Sequence, residues 1–107
     1  MKKFRLRELY DEKYREYIVG SAETGRHGVY LVYGEIAANE EREMASGGHD
    51  EILLLLTGEA IILNGGSEEP IRGEEAVSID PDGAMTFVAR SDCRYVIAGT
   101  HITPHKH

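Results

Sequence analysis

The alternation of hydrophobic and polar residues along the chain predicts short strands over most of its length. Runs rich in β-branched and aromatic residues are separated by glycines, a combination typical of antiparallel sheets. No helical pattern of about 10 to 15 residues lies between the runs, so parallel βαβ units are not expected. The predicted strands are residues 29–36, 51–56, 60–63, 76–79, 85–89 and 95–98.

The first part of the chain has a different pattern. Leucine, tyrosine and isoleucine residues recur there at every third or fourth position, which suits one face of an amphipathic helix. We therefore predict a short helix between about residues 6 and 18, packed against the body of the protein or against a partner subunit. The stripe consists of Leu6, Leu9, Tyr10, Tyr14, Tyr17 and Ile18.

The most hydrophobic predicted strand follows a polar His-Asp-Glu triplet in GGHDEILLLLTGEA, residues 47–60. Because side chains alternate in a strand, an inward-facing Glu51 would share its face with His49, Leu53 and Leu55. The opposite face is equally apolar, and left open it would favour aggregation. We expect the helix or a second subunit to cover that face, which carries Ile52, Leu54 and Leu56.

Composition narrows the class of partner and the cellular setting. The 107 residues are enough for one domain with one core. The net charge of −7 argues against non-specific binding to DNA or RNA. We expect neither a signal peptide nor a membrane span, because no apolar run is long enough for either. Cys93 is the single cysteine, which excludes an internal disulfide and favours a cytoplasmic location.

The residues around Glu51 resemble a known family, the cupins. Glu51, six further residues and Gly58 resemble the end of the first cupin motif, which reads H-x-H, three or four residues, E, six residues and G. The stretch from Gly73 to Phe87 resembles the second motif, with Pro81-Asp82-Gly83 as its P-x-G. The ending YVIAGTHI is similar to the last strand of pirin-like cupins.

This resemblance covers roughly residues 29–102 and implies an all-β fold. The expected architecture is an antiparallel jelly-roll barrel preceded by a short N-terminal helix, in a single domain of residues 1–107. Residues 1–24 would be helical or extended, and residues 101–107 would form a histidine-bearing tail. The resemblance also implies a homodimer. If the protein is an enzyme, it implies metal-assisted chemistry such as oxygenation or isomerisation.

The usual cupin metal ligands do not carry over to this sequence. In the family, two histidines of the first motif, the glutamate and one histidine of the second motif bind a divalent metal. Thr86 replaces the second-motif histidine, and only Glu51 is retained. One carboxylate cannot hold a transition metal, because such sites need at least three protein ligands. The first-motif histidine positions are occupied by Met44 and Ser46 or, with the shorter spacer, by Ala45 and Gly47.

Histidines elsewhere suggest that the metal site has moved. His49 lies two residues before Glu51, so in an extended strand their side chains share a face, with Cα atoms about 6.5–7 Å apart. Glu51 would be a ligand or would accept a hydrogen bond from a ligating imidazole. Such a site suits one divalent transition metal, and the sequence does not distinguish zinc, iron, nickel, copper and manganese. The expected ligands are His49, Glu51, His101, His105 and His107.

A metal-free barrel is the alternative reading. Histidines in a terminal segment are often simply solvated. The cupin would then bind or sense a small ligand, or act as a dimeric interaction module without catalysis. In either case, we expect the hydroxyl of Thr86 to face the pocket, together with Leu53 and Tyr95.

Overall fold

The structure is a computed structural model that describes residues 1–81 and 83–100. In these residues, nine strands and two one-turn helices, α1 (Leu6–Leu9) and α2 (Ser21–Thr24), follow one another. None of the described helices is long and apolar enough to span a membrane. The strands are β1 (Glu16–Val19), β2 (Val29–Ile36), β3 (Glu41–Ala45), β4 (Asp50–Thr57), β5 (Glu59–Asn64), β6 (Ser67–Arg72), β7 (Ala76–Ile79), β8 (Ala84–Ala89) and β9 (Cys93–Thr100).

The strands form two sheets that pack face to face. One sheet has five strands in the order β1-β2-β9-β4-β7, and the other has four in the order β3-β8-β5-β6. Every pairing is antiparallel. The predicted all-β antiparallel jelly roll is therefore confirmed, and each of the six predicted strands is present.

Three strands were not predicted, and each lies at the edge of a sheet. Strands β3 and β6 flank the four-stranded sheet, and β1 flanks the five-stranded sheet. The sequences of β3 and β6, EREMA and SEEPIR, are dominated by charged residues and include Pro70. Edge strands commonly carry charges and proline because these oppose pairing with other molecules. That composition obscures the hydrophobic alternation on which the prediction depended.

The predicted helix ends much earlier than residue 18. Helix α1 stops at Leu9, and the Asp11 side chain then accepts hydrogen bonds from the backbone N–H groups of Lys13 and Tyr14. Arg15 has a positive φ of 62°, which no α-helix allows. From Glu16 onward the chain pairs with β2, so the barrel begins here rather than at residue 29. Long-range strand pairing has overridden the local helical periodicity.

The two inner faces form one hydrophobic core. Within β4, Leu53 and Leu55 are fully buried, whereas Ile52 is 54% exposed on the outer face, as the alternation predicted. Opposite them, Phe87 of β8 packs against Tyr95 of β9 with ring centroids 5.9 Å apart. The other large core side chains are Tyr30, Val32, Ile36, Met44, Ile62, Ile71, Ile79, Met85 and Ile97.

Candidate functional site

One end of the barrel interior is organised around a tyrosine and a glutamate. Tyr30 of β2, Gly99 of β9 and Glu51 of β4 are neighbours in one cross-strand row. The Tyr30 ring lies over Gly99, where a Cβ atom would be 2.7 Å from Tyr30 Cε1 and closer still to Cζ and Oη. Because Gly99 has no side chain, the Tyr30 ring has room to lie across β9, and its hydroxyl donates a hydrogen bond to Glu51 Oε2.

The same arrangement recurs four residues further along the two strands. The Tyr95 ring lies over Gly34 in the cross-strand pair formed by β9 and β2. The Tyr95 hydroxyl donates a hydrogen bond to Glu16 Oε2 and accepts one of 2.6 Å from Arg42 Nη1. Tyr95 is fully buried and its hydroxyl is engaged twice. It therefore links three strands rather than offering a free group to a ligand.

His49 and Ser46 lie beside the Tyr30–Glu51 pair. The His49 imidazole meets the Tyr30 ring edge to face, with centroids 5.8 Å apart. Its backbone N–H donates a hydrogen bond of 3.3 Å to the Ser46 carbonyl across the turn between β3 and β4. Ser46 is buried, and its hydroxyl oxygen has no hydrogen-bond partner among the described residues. His49 and Glu51 thus both contact Tyr30, and the Ser46 hydroxyl lies in the turn that precedes His49.

The structure does not bring every predicted pocket residue to this site. Leu53 is fully buried in the core. Thr86 lies between the inward side chains of Met85 and Phe87 and pairs with outward-facing neighbours in β3 and β5, so its hydroxyl is on the outer face. The inward residue at this place is Met85, directly opposite Met44. The predicted ligands His101, His105 and His107 lie outside the described residues.

Comparison with known proteins bears on the fold alone. No protein-family model matches the sequence, and no curated protein matches it. Solved structures do match. A cupin protein from Bacteroides fragilis superimposes with a TM-score of 0.70 at 14% identity, over 86% of this chain and 80% of that chain. The chain has the cupin fold.

Two further cupin-like structures agree with this assignment. Ectoine synthase from P. lautus has a TM-score of 0.75 at 24% identity and covers 94% of this chain and 78% of its own. A protein described as a predicted oxalate decarboxylase from Thermotoga maritima has a TM-score of 0.67 at 12% identity, over 81% of each chain. At these identities the cupin barrel is shared, and the reactions of those proteins are not transferred by it.

The described residues do not fit the metal centre of the cupin family. Residues 1–81 and 83–100 contain no group of three or more His, Cys, Asp or Glu side chains that could hold a metal ion. At the first-motif positions, Met44 and Ser46 face the interior, and both are buried. Glu51, the retained family ligand, bonds to Tyr30. With His49 it supplies two donors, fewer than the three that a transition-metal site needs.

Tyr30 is one of the site residues that the sequence did not reveal. A tyrosine within a hydrophobic strand is indistinguishable from any other core aromatic residue until its cross-strand neighbours are known. The informative signal is the pairing of a large residue with Gly99, and this pairing depends on the register between β2 and β9. That register is set by tertiary structure, so the alternation within one strand could not identify it.

Burial raises the pKa of Tyr30, and the hydrogen bond to the Glu51 carboxylate raises that pKa further. The pKa of Tyr95 is likewise raised, first by burial and then by the hydrogen bond to Glu16, despite the opposing effect of Arg42. Both hydroxyls therefore stay protonated and act as neutral hydrogen-bond donors at physiological pH. Burial also raises the pKa of the Cys93 thiol, which makes this cysteine a poor nucleophile.

We expect the free energy of unfolding to fall as the pH rises above about 10, the ordinary pKa of tyrosine. In that range the folded protein keeps protons on Tyr30 and Tyr95 that the unfolded chain has lost, so alkali favours unfolding. Below about pH 10 the contribution of these two groups is complete. Urea unfolding as a function of pH measures the slope. The slope should diminish in Tyr30→Phe and Tyr95→Phe but not in Tyr14→Phe, which changes an exposed tyrosine. Equal slopes in all three variants would contradict the assignment.

Proposed function

We propose that this cupin binds a small polar ligand at the end of its barrel, beside Glu51, without a resident transition metal. The observation that carries the proposal is the partner of Glu51. The carboxylate that helps to hold the metal in other cupins here accepts a hydrogen bond from Tyr30. The interior positions that would complete the metal centre hold Met44, Ser46 and Met85.

The chemistry of the site favours a ligand that carries hydrogen-bond donors. Tyr30 occupies Glu51 Oε2, and the structure assigns Glu51 Oε1 no bond to a described residue. The Ser46 hydroxyl can donate or accept. Because it is buried and has no partner among the described residues, it incurs a desolvation cost that a ligand would relieve. A carboxylate and a hydroxyl next to an aromatic ring and an imidazole suit a small amine or a polyhydroxylated molecule.

Thermal stability measured against a panel of small amines, sugars and hydroxy acids tests this proposal. A ligand of the folded state raises the melting temperature by mass action. We expect the shift given by the active compound to disappear in Glu51→Gln, which keeps the shape of the side chain but removes its charge. Glu43→Gln, on the exposed outer side of β3, is the matched control and should keep the shift. A compound that stabilises both variants equally binds elsewhere and would contradict the proposal.

A displaced metal site is the second candidate, and one observation favours it. His49 and Glu51 both contact Tyr30, so the two predicted ligands of the described region do lie in one place. His101, His105 and His107 would have to supply the remaining donors. Imidazole ligands of this kind suit zinc, copper, iron or nickel.

Elemental analysis of protein purified without an affinity tag separates the two candidates. If the protein is metal-free, it should contain less than one metal per chain. If the site is displaced, it should contain one metal per chain. That metal should be lost in His49→Ala and also in a chain truncated after Thr103, which lacks His105 and His107. Full metal content in the truncated chain would exclude the displaced site, and stoichiometric metal that His49→Ala removes would overturn the metal-free proposal.

A further inference from the structure

One edge of the five-stranded sheet lacks the usual protection against pairing with another strand. Strand β7 ends the order β1-β2-β9-β4-β7, so among the described strands it pairs with β4 alone. Edge strands commonly carry charged residues or proline, which oppose further pairing. The other three edge strands, EYIV, EREMA and SEEPIR, each contain at least one such residue. The four residues of β7, AVSI, contain none, and this edge is therefore open to an added strand.

The backbone groups of Ala76 and Ser78 point towards this open edge. The Leu55 N–H donates a hydrogen bond of 3.0 Å to the Glu75 carbonyl. Hydrogen-bonded pairs alternate with non-bonded pairs in an antiparallel ladder, so Val77 also bonds to β4, whereas Ala76 and Ser78 do not. Both residues are exposed, and neither forms a backbone hydrogen bond elsewhere in the described chain. Their N–H and C=O groups are thus available to an incoming strand.

A groove beside β7 separates it from β6, the edge strand of the other sheet, and shares no lining residue with the Glu51 site. Its volume is about 480 Å³, within the range of ligand-binding pockets. Its apolar lining comprises Pro70 and Ile71 of β6 and Ala76 and Val77 of β7. Ile71 is buried, and Val77 packs against the core. An apolar side chain on an added strand would therefore contact Ile71 and Val77.

Two carboxylates lie beside the apolar part of the groove. Glu69 shares the inward face of β6 with Ile71, yet it is exposed. Glu75 is also exposed, and its Oε1 accepts a hydrogen bond of 2.9 Å from the Arg72 N–H. The Arg72 side chain lies on the outer face, opposite Glu59. Because the described residues that line the groove include no lysine, arginine or histidine, its charge favours a cation.

We propose that an extended basic peptide segment adds to β7 as a further strand of this sheet. Its backbone pairs with Ala76 and Ser78, as in other cases of strand addition. Because side chains alternate, the peptide residues opposite Val77 and Glu75 share the inward face. In an antiparallel arrangement, an apolar residue opposite Val77 is followed two positions later by a lysine or arginine opposite Glu75. The recognised pattern is therefore apolar-x-basic.

A second copy of the chain does not supply this pattern. Two-fold symmetry would pair β7 with β7 in the antiparallel direction. In each register that joins the free backbone groups of the two strands, the residue opposite Glu75 is uncharged: it is Val77, Ile79 or Pro81. The carboxylates of Glu69 and Glu75 would then gain no counter-charge, so charge complementarity favours the basic peptide.

A blocked peptide, acetyl-Thr-Thr-Val-Thr-Lys-Thr-amide, tests the proposal when titrated against the protein and followed by NMR. Its valine would lie opposite Val77, its fourth residue opposite Ala76 and its lysine opposite Glu75. We expect saturable binding that shifts the amide signals of Ala76 and Ser78. N-methylation of the fourth residue removes the N–H that bonds to Ala76 and should abolish this binding. N-methylation of the valine, whose N–H faces away from β7, should leave the affinity unchanged. Replacing the lysine by glutamate should weaken binding about tenfold.

Variants of the protein test the same contacts from the other side. Ala76 is the first residue of β7 and its N–H does not serve the ladder, so proline is tolerated there. Ala76→Pro should abolish binding of the lysine peptide, and Ala76→Val, which keeps the N–H, is the matched control and should retain it. Glu69→Gln combined with Glu75→Gln should weaken the lysine peptide about tenfold and leave a norleucine analogue unaffected. Glutamine at residue 75 keeps an oxygen that accepts from the Arg72 N–H.

Five outcomes would overturn the proposal. One is the absence of saturable binding by the lysine peptide. A second is equal affinity of the two N-methylated peptides, which would exclude strand pairing and decides the matter even if Ala76→Pro does not fold. A third is equal affinity of the lysine and glutamate peptides. The fourth is a concentration-dependent dimer that Ala76→Pro dissociates, which would make a second copy the occupant. The fifth is peptide binding that appears only after residues 101–107 are removed, which would make the chain's own end the occupant.

Discussion

Gly58→Ala is expected to lower the free energy of unfolding by about 3–5 kcal/mol, a large share of the roughly 5–15 kcal/mol typical of a domain. Gly58 joins β4 to β5 with a φ of 101°, a conformation that residues with a Cβ atom rarely adopt. An added Cβ atom would also lie 2.5 Å from the Asp92 carbonyl oxygen and 2.7 Å from Cys93 Sγ. The carbonyl belongs to the backbone, and Cys93 is fully buried, so neither neighbour moves cheaply.

Urea unfolding of Gly58→Ala beside Gly65→Ala measures this effect. Gly65 also has a positive φ, of 58°, but a Cβ atom there would meet nothing within 4 Å. The control should therefore lose only about 1–2 kcal/mol, the cost of the left-handed conformation alone. Similar losses in the two variants would mean that the close approach to Asp92 and Cys93 contributes nothing. Gly58 is also the glycine that closes the first cupin motif, and its geometry supplies a physical reason for that residue type.

Gly99→Ala is expected to cost about 2–4 kcal/mol and to dismantle the candidate site at the same time. The new methyl group would occupy the space of the Tyr30 ring, so the ring must move away and the hydrogen bond from Tyr30 to Glu51 is lost. We therefore expect the small-ligand stabilisation proposed above to vanish together with the stability. Gly28→Ala is the control, since a Cβ atom there meets nothing within 4 Å and its φ is not in the positive range.

A double-mutant cycle shows whether the Tyr30 ring causes the loss of stability in Gly99→Ala. In Tyr30→Val the obstructing ring is absent, so adding Gly99→Ala to that background should cost at least 1 kcal/mol less than it does in the wild type. Strict additivity of the two substitutions would place the damage elsewhere in β9. Urea unfolding of the four chains provides the measurement.

The fold was largely predictable because its evidence is local. Short hydrophobic runs lie between closely spaced glycines, and no helical pattern separates the runs, so an antiparallel sheet fold follows from residue order alone. The resemblance to the two cupin motifs, which end at Gly58 and Phe87, then narrowed the prediction to the cupin barrel. Edge strands β3 and β6 escaped detection because their charged residues serve to prevent intermolecular pairing, which leaves little hydrophobic alternation to recognise.

The candidate site was predictable only where its residues are neighbours in sequence. His49 and Glu51 are two residues apart, and the structure does bring both to Tyr30. Thr86 was assigned to the pocket by counting residues within a motif. A displacement of one residue in a strand moves a side chain to the other face of the sheet, and the inward side chain is therefore Met85. The same dependence on register explains why the sequence anticipated neither Tyr30 nor the buried hydroxyl of Ser46, which has no partner within residues 1–81 and 83–100.

Local chemistry in the sequence thus determined the strand-rich architecture, the cupin resemblance and the loss of the family's histidines, because each follows from residues close together in the chain. Only the tertiary structure decided which large side chain lies over which glycine, which carboxylate it meets, and where the outer face is left uncovered. These features depend on the register between β2, β9 and β4, strands separated by dozens of residues. A register is selected by the packing of the whole sheet, and no single segment encodes it.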